Sequence, residues 1–136
     1  DVQMSLFSDR IADRLAQGID VAVLRQKVTA HNLANLNTPR FKRSYISFED
    51  NLRKAREKKY EIRTTHPRHF TTPPSEPITP EIKVDDTATR RIDGNNVDLE
   101  IEMLNMVTNQ LRYNALIQQT SNRFKTWQYV IHQGRR

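Results

Sequence analysis

The stretch "HNLANLNTPRFKR", His31–Arg43, joins an apolar, helix-like segment to a run of basic residues. It contains a proline, which stops a helix because its ring fixes φ and because it has no backbone N–H to donate. Asn37 is suited to the left-handed conformation of a helix end, and the proline pushes Thr38 toward extended backbone. The stretch therefore predicts the end of a first helix, which we place at about Ser8 to Asn37.

This first helix carries apolar residues at three- and four-residue steps, the spacing of one helix face. Ser8 is the predicted N-cap, because a serine oxygen accepts a hydrogen bond from a free backbone N–H of the first turn. Gly18 weakens the middle of the helix and predicts a break there. The row that should face a neighbour comprises Ile11, Leu15, Ile19, Val21, Leu24 and Val28.

A second predicted helix follows the turn "DGNN" at residues 93–96 and runs from Val97 to Ile131. At about 1.5 Å per residue it would be about 52 Å long, more than the first helix can cover. It has two apolar rows, which predict two neighbours. One row comprises Val97, Ile101, Leu104, Thr108, Leu111 and Ala115; the other comprises Met103, Met106, Gln110, Tyr113, Ile117, Thr120, Phe124, Trp127 and Ile131.

The segment between the helices has a different character. Five of the six prolines lie between Pro67 and Pro80, a density that forbids helix and favours extended or irregular backbone. Alternating residues predict short strands at 60–64 and 82–84. We therefore expect a mainly α fold in which N- and C-terminal helices pair as a coiled coil around an irregular middle. The predicted segments are the N-terminal helix at 1–38, the basic and then Pro-rich irregular middle at 39–92, and the C-terminal helix at 93–136. All three belong to one shared domain.

The composition predicts a thin core. Only 36% of the residues are hydrophobic, 28% are charged, and the mean hydropathy is −0.78, so little apolar surface offsets the entropy of ordering the chain. There is no cysteine, which excludes disulfides and thiolate metal sites. Asp9, Arg10, Asp13 and Arg14 stand where a secretory signal needs apolar residues, and no stretch is long enough for a membrane helix. Export would then use a route without a cleaved signal, and no membrane insertion is expected.

The sequence offers no catalytic or cofactor-binding motif. The second half of an EF-hand loop is matched by "DGNNVDLE", but Arg91 occupies a position where a calcium loop needs an oxygen ligand, so a simple turn is favoured. His66 and His69 have no further ligand nearby for a zinc site. With only three glycines there is no phosphate-binding loop. We expect no enzyme activity, no metal and no cofactor.

Nucleic-acid binding is the alternative function. The net charge is +6, and residues 40–63 carry nine Lys or Arg against four Asp or Glu. Few aromatic residues accompany the basic run 54–63, and acidic residues interrupt it. A solvated connector is therefore the favoured interpretation of the basic run. A basic coiled-coil protein that binds nucleic acid remains the alternative function.

Two segments carry a resemblance to a known family. The segment "LRQKVTAHNLANLNTPRFKRSYISFEDNL", residues 24–52, resembles the N-terminal signature of the bacterial flagellar axial proteins, which form the rod and hook. The segment "RIDGNNVDLEIEMLNMVTNQLRYNAL", residues 91–116, is similar to the C-terminal signature of the small proximal-rod proteins of that family. The family usually has glycine where this chain has Arg40, so the turn must form without a residue that tolerates positive φ.

The resemblance implies a non-enzymatic structural subunit of the basal-body rod. Such a subunit is exported by the flagellar type III apparatus and built into the drive-shaft that crosses the periplasm. Its partners would be copies of itself, homologous rod proteins, the adaptor protein that joins the rod to the MS ring, and the export apparatus.

Within this family, residue roles follow as hypotheses. Asn32, Asn35, Asn37 and Thr38, with Pro39, form the corner, where their polar groups satisfy free backbone groups or bond a neighbour. The pair Phe48 and Leu52 in "FEDNL" resembles the short motif by which rod and hook subunits engage the export gate. Helix packing within a subunit is assigned to Leu24, Val28, Leu104, Leu111 and Ala115; packing between subunits is assigned to Ile117, Phe124, Trp127 and Ile131.

Overall fold

The computed structural model describes residues 10–53, 79–89 and 91–133. Along the chain these form helix α1 (Arg10–Ala34), strand β1 (Ser44–Ser47), strand β2 (Glu81–Val84) and helix α2 (Leu99–Gln133). A helical turn at 49–53 follows β1. The predicted class is confirmed: the fold is mainly helical, and its N- and C-terminal helices pack against each other. The division into three segments stays a prediction.

The two helices run antiparallel. Asn32 near the end of α1 bonds Glu102 near the start of α2, whereas Gly18 lies against Leu116 further along. The helix α1 is continuous through Gly18, so the predicted break is wrong. A β-carbon added at Gly18 would lie 3.3 Å from both δ-carbons of Leu116. The glycine therefore serves close approach of the helices rather than a bend.

The strands form a two-stranded antiparallel sheet in which Ser44 is opposite Val84 and Ser47 is opposite Glu81. Alternation in the sequence predicted β2 but missed β1, because "SYIS" is too short and polar to stand out. The predicted strand at 60–64 and the predicted cap at Ser8 lie outside the described residues. Among the described helices, none is long and apolar enough to cross a membrane.

The core is small, as the composition predicted. A cluster of Val21, Val28 and Ile46 forms its buried centre, and Leu24 and Phe48 pack against it half-buried. In the described residues the buried polar side chains are as prominent as the apolar ones, and the largest fully buried side chains are Glu102, Asn32 and Asn95. Hydrogen bonds therefore contribute substantially to the contacts among the helices, the sheet and the loops.

The contact at Gly18 leads to a stability prediction. We expect Gly18→Leu to lower the free energy of unfolding by about 1–3 kcal/mol, because overpacking forces side chains or backbone to shift. Ala16→Leu is the matched control: Ala16 lies exposed on the same helix, so its change should stay within about 0.5 kcal/mol. Urea unfolding followed by circular dichroism measures both. Equal effects of the two substitutions would contradict the close approach.

Candidate functional site

The corner after α1 is joined to β1 by the side chain of Asn32. Its Nδ2 donates to the carbonyl oxygen of Ser44 at 2.8 Å, and its Oδ1 accepts from the backbone N–H of Ser44 at 2.9 Å. The amide thus satisfies both backbone groups of the first residue of β1, as a neighbouring strand would. Asn32 is 1% exposed, so these bonds are shielded from water. The end of α1 and the start of β1 are thereby held together.

A buried carboxylate ties this corner to α2. Glu102 is 1% exposed; its Oε2 accepts from Asn32 Nδ2 at 3.1 Å and its Oε1 accepts from Arg43 Nε at 3.0 Å. Arg43 also pairs with Asp85, Nη1 to Oδ2 at 3.4 Å. A buried carboxylate is tolerated only when it is paired and hydrogen-bonded, and here both conditions are met. One acidic side chain therefore links α2 with the corner.

The loop before α2 closes the end of α1. Asn95, 0% exposed, donates from Nδ2 to the carbonyl oxygens of Asn35, Leu36 and Thr38 at 2.9, 3.0 and 2.9 Å. These three carbonyls belong to the turn that follows α1, which ends at Ala34, and the distant amide supplies the N–H donors that they need. The Oδ1 of Asn95 accepts from the N–H of Val97 at 2.7 Å. The turn "DGNN" thus holds the turn that follows the first helix.

Asn96 and Asp98 complete this loop. Asn96 Oδ1 accepts from the N–H of Arg43 at 2.7 Å, and its Nδ2 donates to the carbonyl of Asp85 at 2.7 Å. Asp98 Oδ1 accepts from the N–H groups of Glu100 and Ile101 at 2.9 and 3.1 Å. It is therefore the N-cap of α2, which begins at Leu99 rather than at Val97.

The predicted corner residues have unequal roles. Asn32 is buried in the network, whereas Asn35 bonds locally: its Nδ2 donates to the carbonyl of His31 at 2.8 Å, and its Oδ1 accepts from Thr38 Oγ1 at 3.1 Å. Within the described residues the side chain of Asn37 forms no hydrogen bond, and Asn37 and Pro39 are exposed. Sequence reasoning missed Asn95 and Asn96, because nothing local marks a partner more than fifty residues away.

The left-handed residue of the corner is Arg40, not Asn37. Arg40 has φ 61°. Its N–H donates to the carbonyl of Asp93 at 2.8 Å, beside Gly94, whose φ is 76°. The prediction for Asn37 is wrong because α1 ends earlier, at Ala34, and the reversal occurs after the proline. The turn thus contains a residue in a conformation that is costly for an L-residue with a side chain.

Two aspartates support the loops as carboxylates. The backbone N–H of Thr87, with its hydroxyl, lowers the pKa of Asp85 below its ordinary value of 3.8. The backbone N–H of Asn95 lowers the pKa of Asp93, and the guanidinium of Arg91, at 2.8 Å, adds to that effect. Asp93 is thus engaged by protein donors, as the turn interpretation of the EF-hand-like segment requires. The described residues hold no group of three or more His, Asp or Glu side chains arranged for a metal ion.

The contact between α1 and α2 differs from the predicted set of helix-packing residues. Leu24 and Val28 belong to the core or pack on it, but Leu104 and Leu111 are 66% and 65% exposed, and Ala115 is exposed too. The residues of α2 buried against α1 are polar: Glu102, already described, and Asn109, whose Nδ2 donates to the carbonyl of Ala22 at 2.8 Å. Apolar periodicity alone selected a solvent-exposed face of α2, because the buried residues that meet α1 are polar and form hydrogen bonds with it.

The residues predicted for contacts between subunits lie further along α2. Phe124 and Ile131 are 59% and 66% exposed, Ile117 is 42% exposed, and Trp127 is half-buried. Phe124 and Trp127 form an edge-to-face pair with ring centroids 6.4 Å apart. Contacts between subunits stay a prediction for all four.

The other predicted residues are placed as follows. Phe48 packs against the core, whereas Leu52, whose N–H donates to the carbonyl of Phe48 at 2.8 Å, is 47% exposed. The turn that carries them is joined to α1 by Arg25, whose Nη2 donates to both carboxylate oxygens of Glu49 at 2.7 and 2.9 Å. The basic run 54–63 and the histidines His66 and His69 lie outside the described residues.

The chain is similar to known proteins over nearly its whole length. A family model described as flagella basal body rod protein matches residues 22–42, which include the corner. The chain is 31% identical over 132 residues to the flagellar basal body rod protein FlgB of Bacillus subtilis, covering 97% of this chain and 100% of the relative. It is 34% identical over 130 residues to FlgB of Borreliella burgdorferi, covering 90% and 96% of the two chains. Identity to FlgB of Escherichia coli is 25% over 124 residues, covering 87% and 90%.

Replacing the amide of Asn95 tests its hydrogen bonds to the turn after α1. Asn95→Asp keeps the shape but removes the N–H donor and turns an oxygen toward three carbonyls, so we expect a loss of about 2–4 kcal/mol in the free energy of unfolding. Asn37→Asp changes an exposed amide of the same corner and should cost less than about 0.5 kcal/mol. Urea unfolding at neutral pH gives both values. A loss at Asn95 no larger than at Asn37 would show that the bonds of Asn95 contribute nothing to stability.

Replacing Arg40 tests the strain in the turn. A left-handed conformation costs an L-residue about 1–2 kcal/mol, part of which glycine's greater unfolded-state entropy offsets, so Arg40→Gly should raise the free energy of unfolding by about 0.5–1 kcal/mol. Lys42→Gly, two residues on and without positive φ, should lower it by a similar amount. The urea midpoints of the two variants should move in opposite directions. Destabilisation by Arg40→Gly would refute the strain.

Proposed function

The chain belongs to the family of flagellar basal body rod proteins named FlgB, and from that membership we propose that it builds the proximal part of the rod. It is a structural subunit of the rod of the flagellar basal body. The finer proposal is that copies of it join each other and homologous rod proteins by helix packing, and that the assembled rod is the drive-shaft that crosses the periplasm.

One observation carries this proposal: α2 presents large apolar side chains to solvent at intervals along its 35 residues. Leu104, Leu111, Phe124 and Ile131 are each more than half exposed. Burying such side chains is favourable by about 25 cal/mol per Å² of apolar surface, so this helix gains stability by packing on other chains. A subunit with a thin core and an open helix suits assembly, in which neighbours supply the missing contacts.

The proposed route to the periplasm is the flagellar type III apparatus, without a cleaved signal. The gate motif would be Phe48 with Leu52, by the family resemblance. Phe48 packs against the core in the folded chain, so both side chains would be accessible together only after unfolding. Engagement of the motif would then precede folding, and folding would follow export.

The adaptor that joins the rod to the MS ring is a further proposed partner, with other rod proteins. A non-enzymatic role is proposed because the family is one of structural rod proteins and because the sequence has no catalytic motif. The comparisons bring no support to nucleic-acid binding, so that alternative is not carried further.

Deletion of the gene in the encoding organism tests the proposal. We expect the cells to lose swimming and their basal bodies to lack the proximal rod, and a tagged copy of the chain to restore both. Immunogold labelling of isolated basal bodies should place the tag in the proximal rod. The mass of the rod-bound chain should equal that of the cytoplasmic chain, since no signal is removed. Normal swimming in the deletion strain would refute the role.

A further inference from the structure

A polar cleft lies between α1, β1 and α2, with a volume of about 310 Å³. Each helix lines it with an arginine and a threonine four residues apart, Arg25 with Thr29 on α1 and Thr108 with Arg112 on α2. Residues four apart lie on the same face of a helix, so each pair presents its polar groups to the cleft. The two walls therefore offer hydroxyl and guanidinium donors to one shared space.

Among the described residues, one arginine of the cleft has no hydrogen-bonded acid. Arg43 is paired with Glu102, Nε to Oε1 at 3.0 Å. Arg25 donates from Nη2 to both carboxylate oxygens of Glu49. Arg112 is 3.9 Å from Glu49, Nη1 to Oε1, which is too long for a hydrogen bond, and its guanidinium forms none within the described part of the chain. Three arginines and two glutamates line the cleft, so Arg112 provides its excess positive charge.

The hydroxyl of Thr29 is a second unused donor. Thr29 is 4% exposed, yet its hydroxyl forms no hydrogen bond within residues 10–53, 79–89 and 91–133. By contrast, Thr120 and Thr126 of α2 each donate to the carbonyl four residues earlier. A buried hydroxyl without a partner costs free energy, so a ligand that accepts from it would bind favourably there. The half-buried Thr108 likewise has no described hydrogen bond and faces the same space.

These donors suit a carboxylate. Guanidinium and hydroxyl groups donate charge-assisted hydrogen bonds to carboxylate oxygens, and Arg25 already makes such bonds to Glu49 at 2.7 and 2.9 Å. The volume of the cleft lies at the lower end of the range of about 300–1,000 Å³ that holds small molecules. A single acidic side chain therefore fits the cleft better than a larger ligand does.

We propose that this cleft binds the carboxylate of an aspartate or glutamate side chain from a partner protein. Arg112 is the charged donor, and the hydroxyls of Thr29 and Thr108 complete the site. The proposal adds a binding site for an acidic partner to the rod function, and it does not depend on how copies of the chain assemble.

An NMR titration of the purified full-length chain tests the site. The probe is the end-blocked tripeptide Gly-Glu-Gly, and the control probe is Gly-Gln-Gly, which has a similar shape without the charge. We expect Gly-Glu-Gly alone to cause saturable shifts of the signals of Thr29, Thr108 and Arg112. Arg112→Gln should weaken this binding by about tenfold or more, because a hydrogen bond to a charged group is lost. Arg14→Gln is the matched control: it removes an exposed arginine of α1 that does not line the cleft, and the affinity should not change.

The variant Thr29→Val distinguishes a binding role from a structural one. Valine keeps the shape of threonine but removes the hydroxyl, and this hydroxyl has no partner among the described residues. We therefore expect the urea midpoint of the free chain to stay the same or to rise, while the binding of Gly-Glu-Gly weakens. Thr120→Val, which removes a hydroxyl bonded to the carbonyl of Leu116 outside the cleft, should leave the binding unchanged.

Three outcomes would overturn the site. Shifts that do not saturate, or that are equal for the two peptides, reject the carboxylate as the ligand. Equal affinities of Arg112→Gln and Arg14→Gln reject this cleft as its location. A lower urea midpoint for Thr29→Val would show that the hydroxyl already stabilises the fold, which rejects its role as a ligand donor. The titration needs no assembled rod, so swimming of the deletion strain reports the rod function separately.

Discussion

The carboxylate of Glu102 is the interaction on which the rest of the structure depends. It accepts from Asn32 and from Arg43, and these two residues hold the end of α1, the start of β1 and the end of β2. An unpaired buried charge would be far more costly than an unmade contact between apolar groups, so the arrangement tolerates little displacement. With only a small apolar cluster available, this polar junction determines how α2 sits against the corner.

The helices and the mainly α class could be predicted from the sequence, because their signals are local. Apolar steps along α1 and α2, Pro39 after the first helix and the turn before the second are all visible within a few residues. The partners of Asn95 could not be predicted, since its amide is just one more polar residue in a turn until α1 is seen ending against it. Amide-rich loops are ordinary, and only the fold shows that this amide bonds a turn nearly sixty residues earlier.

The face of α2 that meets α1 shows a second limit of sequence reasoning. Periodicity ranks residues by hydrophobicity, so it selected Leu104 and Leu111 and passed over Glu102 and Asn109. The choice fails where buried polar groups find partners, because a satisfied hydrogen bond removes most of the cost of burial. In this chain an amide and a carboxylate lie on the inner face of α2, and exposed leucines lie on its outer face.

The backbone conformation of Arg40 also depends on contacts with a distant segment of the chain. A glycine would adopt φ 61° at no steric cost, yet this chain keeps an arginine there, held by the bond from its N–H to Asp93 and by the left-handed Gly94 beside it. Strain of this kind persists only where the surrounding contacts over-determine the local conformation. The contacts that do so come from the loop before α2, so the corner keeps its shape only while that loop stays packed against it.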